Sequence, residues 1–144
     1  SDPSSINNII TQPNTRNMFS ECTKITGRCD LSGLYARGYG SLDFLTSVTD
    51  GIRRELETQD ASQGIMLYHS FGGGNGSFVS SHILNSLNDF VGRTSTLTAS
   101  LFPSYLHSTN IVEAYNTILS MGSFLHAGLS TPSLMFDNDA LRSI

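Results

Sequence analysis

Gly64-Ile65-Met66-Leu67-Tyr68-His69-Ser70-Phe71-Gly72-Gly73-Gly74-Asn75-Gly76-Ser77 is the stretch that decides the fold. A short apolar run bounded by glycines suits a β-strand packed on both faces. A glycine-rich loop follows it without a break. Beyond the loop, Val79, Ile83, Leu87 and Phe90 recur at helical spacing. Glycines carry no Cβ, so this backbone can turn sharply and approach a ligand closely. Successive N–H groups can converge on an anion, and the following helix adds the positive end of its dipole. Ser70, Asn75 and Ser77 offer neutral hydrogen-bond partners. Together these features fit a di- or triphosphate held without many Lys or Arg.

Working outward, Leu42, Leu45, Val48, Ile52 and Leu56 form one apolar helix face, with Ser41 placed to cap it. Arg53, Arg54, Glu55 and Glu57 read as its solvated side. Residues 22–40 contain Gly27, Gly33, Gly38 and Gly40 and read as a loop with several tight turns. Residues 1–21 read as a linker or irregular segment. On the other side, Thr96–Phe102 reads as a strand stopped by Pro103. Ile111, Tyr115, Ile118 and Leu125 mark a third helix, with Glu113 in its first turn. Leu134–Phe136 reads as a further strand and Ala140–Ile144 as the start of another helix. Alternation of this kind predicts an α/β fold, a Rossmann-like parallel sheet with helices on both faces and right-handed crossovers. Ligands of such sheets sit beyond the carboxyl ends of the strands. Three loops leave those ends: 71–77, 103–110 and 137–139.

The chain has 144 residues, room for one domain or part of one. Its net charge of −4 argues against a basic nucleic-acid binder or an anionic-membrane binder. No apolar run approaches the roughly 20 residues of a membrane span. Charged residues make up only 14%, against about 25% in a typical domain, with Ser, Thr and Asn in their place. Such a surface is either neutral and polar or in contact with other protein. Ser1–Ser5 has no apolar core behind it, so no leader is read there, and Cys22 and Cys29 are expected as free cytoplasmic thiols.

The glycine loop is not a Walker P-loop, because Ser77-Phe78 stands where Lys-Ser or Lys-Thr is required. It also lacks the dinucleotide-binding spacing. Tyr68-His69-Ser70-Phe71-Gly72 approaches the nucleophile elbow of α/β-hydrolases, but Tyr68 is too large for the strained first position. His69 reads as a core histidine. Asp137 and Asp139 read as helix-capping groups around Asn138.

At this point a family resemblance emerges. His69-Ser70-Phe71-Gly72-Gly73-Gly74-Asn75-Gly76-Ser77 resembles the tubulin signature GGGTGSG, with Asn75 for Thr and Phe78 for the last Gly. Tyr35-Ala36-Arg37-Gly38, Val112-Glu113-Ala114-Tyr115-Asn116 and Phe136-Asp137-Asn138-Asp139-Ala140-Leu141 resemble further tubulin segments, the last of them the family's D-N-E-A. From Tyr35 to Leu141 no gap is needed against an α-type tubulin. The resemblance covers residues 22–144 and implies the middle of a tubulin-type GTP-binding domain. It implies a cytoplasmic, cytoskeletal protein that binds GTP or GDP, with Mg²⁺ through the nucleotide, and contacts other tubulin subunits in microtubules.

Residue by residue, the resemblance places the phosphates on Ser70, Gly72, Gly73, Gly74, Asn75 and Gly76. It places Asp30, Leu31 and Ser32 near the γ-phosphate, Ser108 and Glu113 near the ribose, and Asn138 at the guanine. Gly33-Leu34 departs from the family's Asn-Asn and removes polar partners there. Phe78 departs where a glycine lets loop and helix pack closely. The family's first strand, its base-stacking helix and the acidic loop that completes hydrolysis between subunits are not in this stretch. The reading is therefore a fragment or a shortened paralogue, not expected to hydrolyse GTP by itself. The alternatives are a tubulin-like interaction protein without nucleotide and, further off, the hydrolase with Ser70 as nucleophile.

Overall fold

The computed structural model describes residues 3–13, 24–27, 31–40, 42–61, 63–90, 95–108, 110–126 and 132–143. Cys22, Cys29, Asp30, Ser41 and Ile144 lie outside them, as do the side chains of Leu42 and Phe90. Three strands form one parallel sheet in the order β1 (Ile65–Ser70), β2 (Thr96–Phe102) and β3 (Ser133–Asp137). The β-branched Thr96 and Thr98 favour the pleated backbone of β2, and Pro103, with no N–H to donate, ends it. Helix α3 (Gly74–Phe90) links β1 to β2, and α4 (Val112–His126) links β2 to β3. Helix α2 (Leu42–Glu57) precedes β1, and α5 (Asn138–Arg142) leaves β3.

Side chains alternate between the faces of a sheet. Register therefore places Leu67 and His69 of β1 on one face with Thr98 and Ser100 of β2. That face is covered. Phe71, just past β1, is fully buried with Leu84 of α3 and Phe124 of α4, and Leu67 and Phe102 pack on them. A second cluster joins Leu31, Tyr35, Leu45 of α2 and Phe78 of α3. It fixes the segment before α2 against the start of α3.

Four details differ from the sequence reading. The irregular segment at 1–21 contains helix α1 (Pro3–Thr11). A proline's fixed φ suits a first helical turn, and Ile6, Ile9 and Ile10 recur at spacings of three and four. The loop at 22–40 contains a 3-10 helix, Tyr35–Gly40. Strand β1 is packed on one face, since Met66 and Tyr68 on the other are 46% and 71% exposed. Leu134 and Phe136 of β3 share that outer face and are also exposed. Helices α3 and α4 pack on the opposite face, so burial of β1 on both faces is not met.

The fourth difference is in α4. Ile111, Tyr115, Ile118 and Leu125, the residues whose spacing marks this helix, are exposed, and Asn116, Ser120 and Phe124 are buried instead. Small hydroxyl side chains let α4 approach α3 closely. Ser120 Oγ lies 3.3 Å from Ser81 Oγ, and both hydroxyls reach the Ser77 carbonyl. His69 is a core histidine as expected. Its Nδ1 is 3.0 Å from Ser80 Oγ and its Nε2 is 2.8 Å from Ser100 Oγ.

Candidate functional site

Because the strands are parallel and adjacent, the loops leaving β1, β2 and β3 meet at one end of the sheet. They enclose an open cavity of about 290 Å³. Its wall comprises Ser70 at the end of β1 with Gly72 and Gly73 beyond it, Leu101 and Phe102 at the end of β2 with Pro103, Ser104, His107 and Ser108 beyond them, Glu113 of α4, and Asn138 and Arg142 of α5. Six residues singled out from the sequence thus come together: Ser70, Gly72, Gly73, Ser108, Glu113 and Asn138.

The glycine end is built by close packing. Phe71 N–H donates to Leu101 C=O at 3.0 Å and so extends the sheet ladder into the loop. Gly74, Asn75 and Gly76 form the first turn of α3 and do not line the cavity. Residues 72–76 adopt no positive φ. Gly74 is required for a different reason: an added Cβ would lie 2.6 Å from Gly33 C and Leu34 N. The segment 31–34 therefore rests directly on the start of α3. It is a tight turn, with Ser32 and Gly33 at φ 49° and 72° and Leu34 N–H donating to Leu31 C=O at 2.9 Å.

Asn116 ties these two segments together. Its Nδ2 donates to Gly33 C=O at 2.6 Å and to Gly72 C=O at 2.9 Å, and its Oδ1 accepts Tyr35 N–H at 3.0 Å. All three amide interactions are made in a side chain only 2% exposed. Of the residues read at the γ-phosphate, Leu31 is buried in the core and does not line the cavity. Ser32 is exposed and accepts from Arg37 Nη1 at 2.7 Å, also away from the wall. Phe78 does not obstruct the site. It is buried against Tyr35 and Tyr39, in space that an added Cβ at Gly38 would fill.

The far end is polar. Ser108 Oγ donates to Glu113 Oε2 at 2.5 Å. Asp137 caps α5 by accepting Asp139 N–H at 2.9 Å. Asp139 instead turns away to bind the loop after β2, accepting Tyr105 N–H at 2.7 Å. His107 and two residues not singled out from the sequence, Ser104 and Arg142, also line the cavity. The only sequence signal of these two is their place in or beside loops at strand ends. Ser104, His107 and Asp139 meet, but both Ser104 and Asp139 approach the same imidazole nitrogen, Nδ1. A hydrolytic triad needs them on opposite nitrogens. His69, beside Ser70, is held by Ser80 and Ser100.

A parallel α/β sheet with a polar cavity at its carboxyl end, walled on one side by a glycine loop, is the Rossmann-like class of domain, whose ligands sit at this end. The family model of the Tubulin/FtsZ family, GTPase domain, matches residues 1–144. The chain belongs to this family. It is 38% identical over 130 residues to the tubulin alpha-8 chain of Caenorhabditis elegans, across 89% of this chain and 28% of that protein. It is 35% identical over 147 residues to the tubulin alpha-1 chain of Schizosaccharomyces pombe, across 99% and 31%. It is 37% identical over 132 residues to the tubulin alpha chain of Dictyostelium discoideum, across 90% and 28%. The chain thus spans less than a third of the length of these relatives. Among the described residues no helix is long and apolar enough to cross a membrane.

Proposed function

We propose that the chain is the guanine-nucleotide-binding core of a tubulin-family subunit. The observation that carries this reading is the single cavity shared by Ser70, Gly72, Gly73, Ser108, Glu113 and Asn138. The donor set fits the ligand. Backbone amides and the Ser70 hydroxyl suit phosphate oxygens, with Gly74, Asn75 and Gly76 contributing the positive end of α3. The Ser108–Glu113 pair suits the ribose hydroxyls. The Asn138 amide has both a donor and an acceptor for the guanine edge. Mg²⁺ would come with the nucleotide, whose phosphates would hold it. Bound nucleotide supplies the phosphoryl chemistry, and this chain's residues position it.

The protein works among tubulin subunits in a microtubule-type polymer of the cytoplasmic cytoskeleton. Tyr105, Ile111, Tyr115 and Ile118 are 92%, 80%, 65% and 69% exposed, and this apolar surface supports contact with a second subunit of the same family. The test is direct. Full-length protein is purified, denatured with acid, and its released small molecules are separated by ion-exchange chromatography. Recovery of GDP or GTP near one equivalent per chain is expected. Adenine nucleotide alone, or no nucleotide even after incubation with GTP, would contradict the reading.

A further inference from the structure

Asp139 reaches across the carboxyl end of the sheet to the loop that leaves β2. One carboxylate oxygen accepts the Ser104 hydroxyl, and the other accepts the Tyr105 and Leu106 N–H groups at 2.7 and 3.2 Å. His107 Nδ1 lies 3.5 Å from the first oxygen, and His107 N–H donates to Ser104 Oγ at 2.9 Å. One carboxylate thus organises four consecutive residues. Hydrogen bonds to an ionised group are among the stronger ones a loop can make. Ser104 and His107 face the cavity, whereas Asp139 stands behind that wall. Asp137 holds Asp139 N–H from the other side, so Asn138 lies in a turn tied at both flanks.

We propose that Asp139 is a positioning residue that locks the 104–108 loop to the Asn138 turn and so shapes the nucleoside end of the pocket. The phosphate end is left to the glycine loop. This rests on the guanine-nucleotide reading of the cavity. Removal of the carboxylate frees two backbone N–H groups and a hydroxyl to water, and the loop carrying Ser104, His107 and Ser108 then relaxes. The cost falls on contacts to ribose and base and spares contacts to phosphate.

The experiment measures equilibrium affinity for GTP and for inorganic tripolyphosphate in the full-length polypeptide, for wild type, Asp139→Ala, Asp139→Asn and Asp139→Glu. Asp139→Ala and Asp139→Asn are expected to weaken GTP about tenfold and to leave tripolyphosphate unchanged. Asp139→Glu keeps the charge and is expected to restore most of the GTP affinity. Asp139→Asn preserves side-chain shape, so it carries the test if the alanine variant does not fold. Equal loss of both ligands, or no loss of GTP, overturns the inference and leaves the nucleotide site standing. Wild-type protein that binds neither ligand overturns the underlying reading instead.

Discussion

Gly74 and Gly73 are neighbours with different constraints. An added Cβ at Gly74 would press on the Gly33–Leu34 backbone at 2.6 Å, whereas one at Gly73 would meet only Ser70 Oγ at 3.6 Å. Gly74→Ala is expected to push the two segments apart and cost roughly 1–3 kcal/mol. Gly73→Ala should stay within about 0.5 kcal/mol of wild type. Urea denaturation separates the two. His69 predicts a pH dependence. Burial pushes its imidazole below the usual range. The unfolded chain therefore takes up a proton near pH 6.5 before the folded one does, so stability is full above that pH and declines below it. Denaturation midpoints at about pH 7.5 and about pH 5.5 read the slope, and His69→Gln, which cannot titrate, should flatten it. Asp139 acts in a lower window. Its carboxyl is held down to about 2, chiefly by the Ser104 hydroxyl, so its contribution is lost only as pH falls from the ordinary 3.8 toward that value. At this scale the glycine loop was legible from its residues, whereas Ser108, Glu113 and Asn138 were legible only through the family resemblance. Ser104 was not legible, because the loop that carries it is held in place by Asp139, more than thirty residues away.

Among the elements, α4 shows what periodicity can and cannot read. Ile111, Tyr115, Ile118 and Leu125 correctly announced a helix, yet its buried face carries Asn116, Ser120 and Phe124. The serine-rich surface of α3 selects small hydroxyl partners, and Asn116 is drawn inward by three backbone groups. Hydrophobic spacing alone has no access to either cause. Phe124→Ala should therefore cost about 3–5 kcal/mol, because the ring packs with Phe71 and Leu84. Ile118→Ser should change stability by no more than about 0.5 kcal/mol. Thermal denaturation of the two variants distinguishes the faces. Strand identities were legible from glycine boundaries, threonine content and Pro103. The outer face of β1 was misread, since a run such as Ile65-Met66-Leu67-Tyr68 looks the same whether one face is covered or two. Helix α1 was missed because its three isoleucines are diluted by asparagine and serine.

For the whole molecule, the parallel sheet and the placement of all three loops at one end followed from alternation alone. The departures Gly33 and Phe78 keep the architecture intact. Gly33 supplies a positive φ in the turn over Gly74, and Phe78 fills the hollow above Gly38. On the proposed reading, this end of the sheet selects guanine. The most direct measurement is displacement of a fluorescent GTP analogue from the full-length protein by GTP and by ATP, in wild type and in Asn138→Ala. On that reading Asn138 would pair with the guanine edge and leave adenine's edge mismatched, so GTP should compete at least about a hundredfold better than ATP in wild type. That preference should collapse in Asn138→Ala while ATP competition stays where it was. Equal competition by GTP and ATP in the wild-type protein would contradict the account.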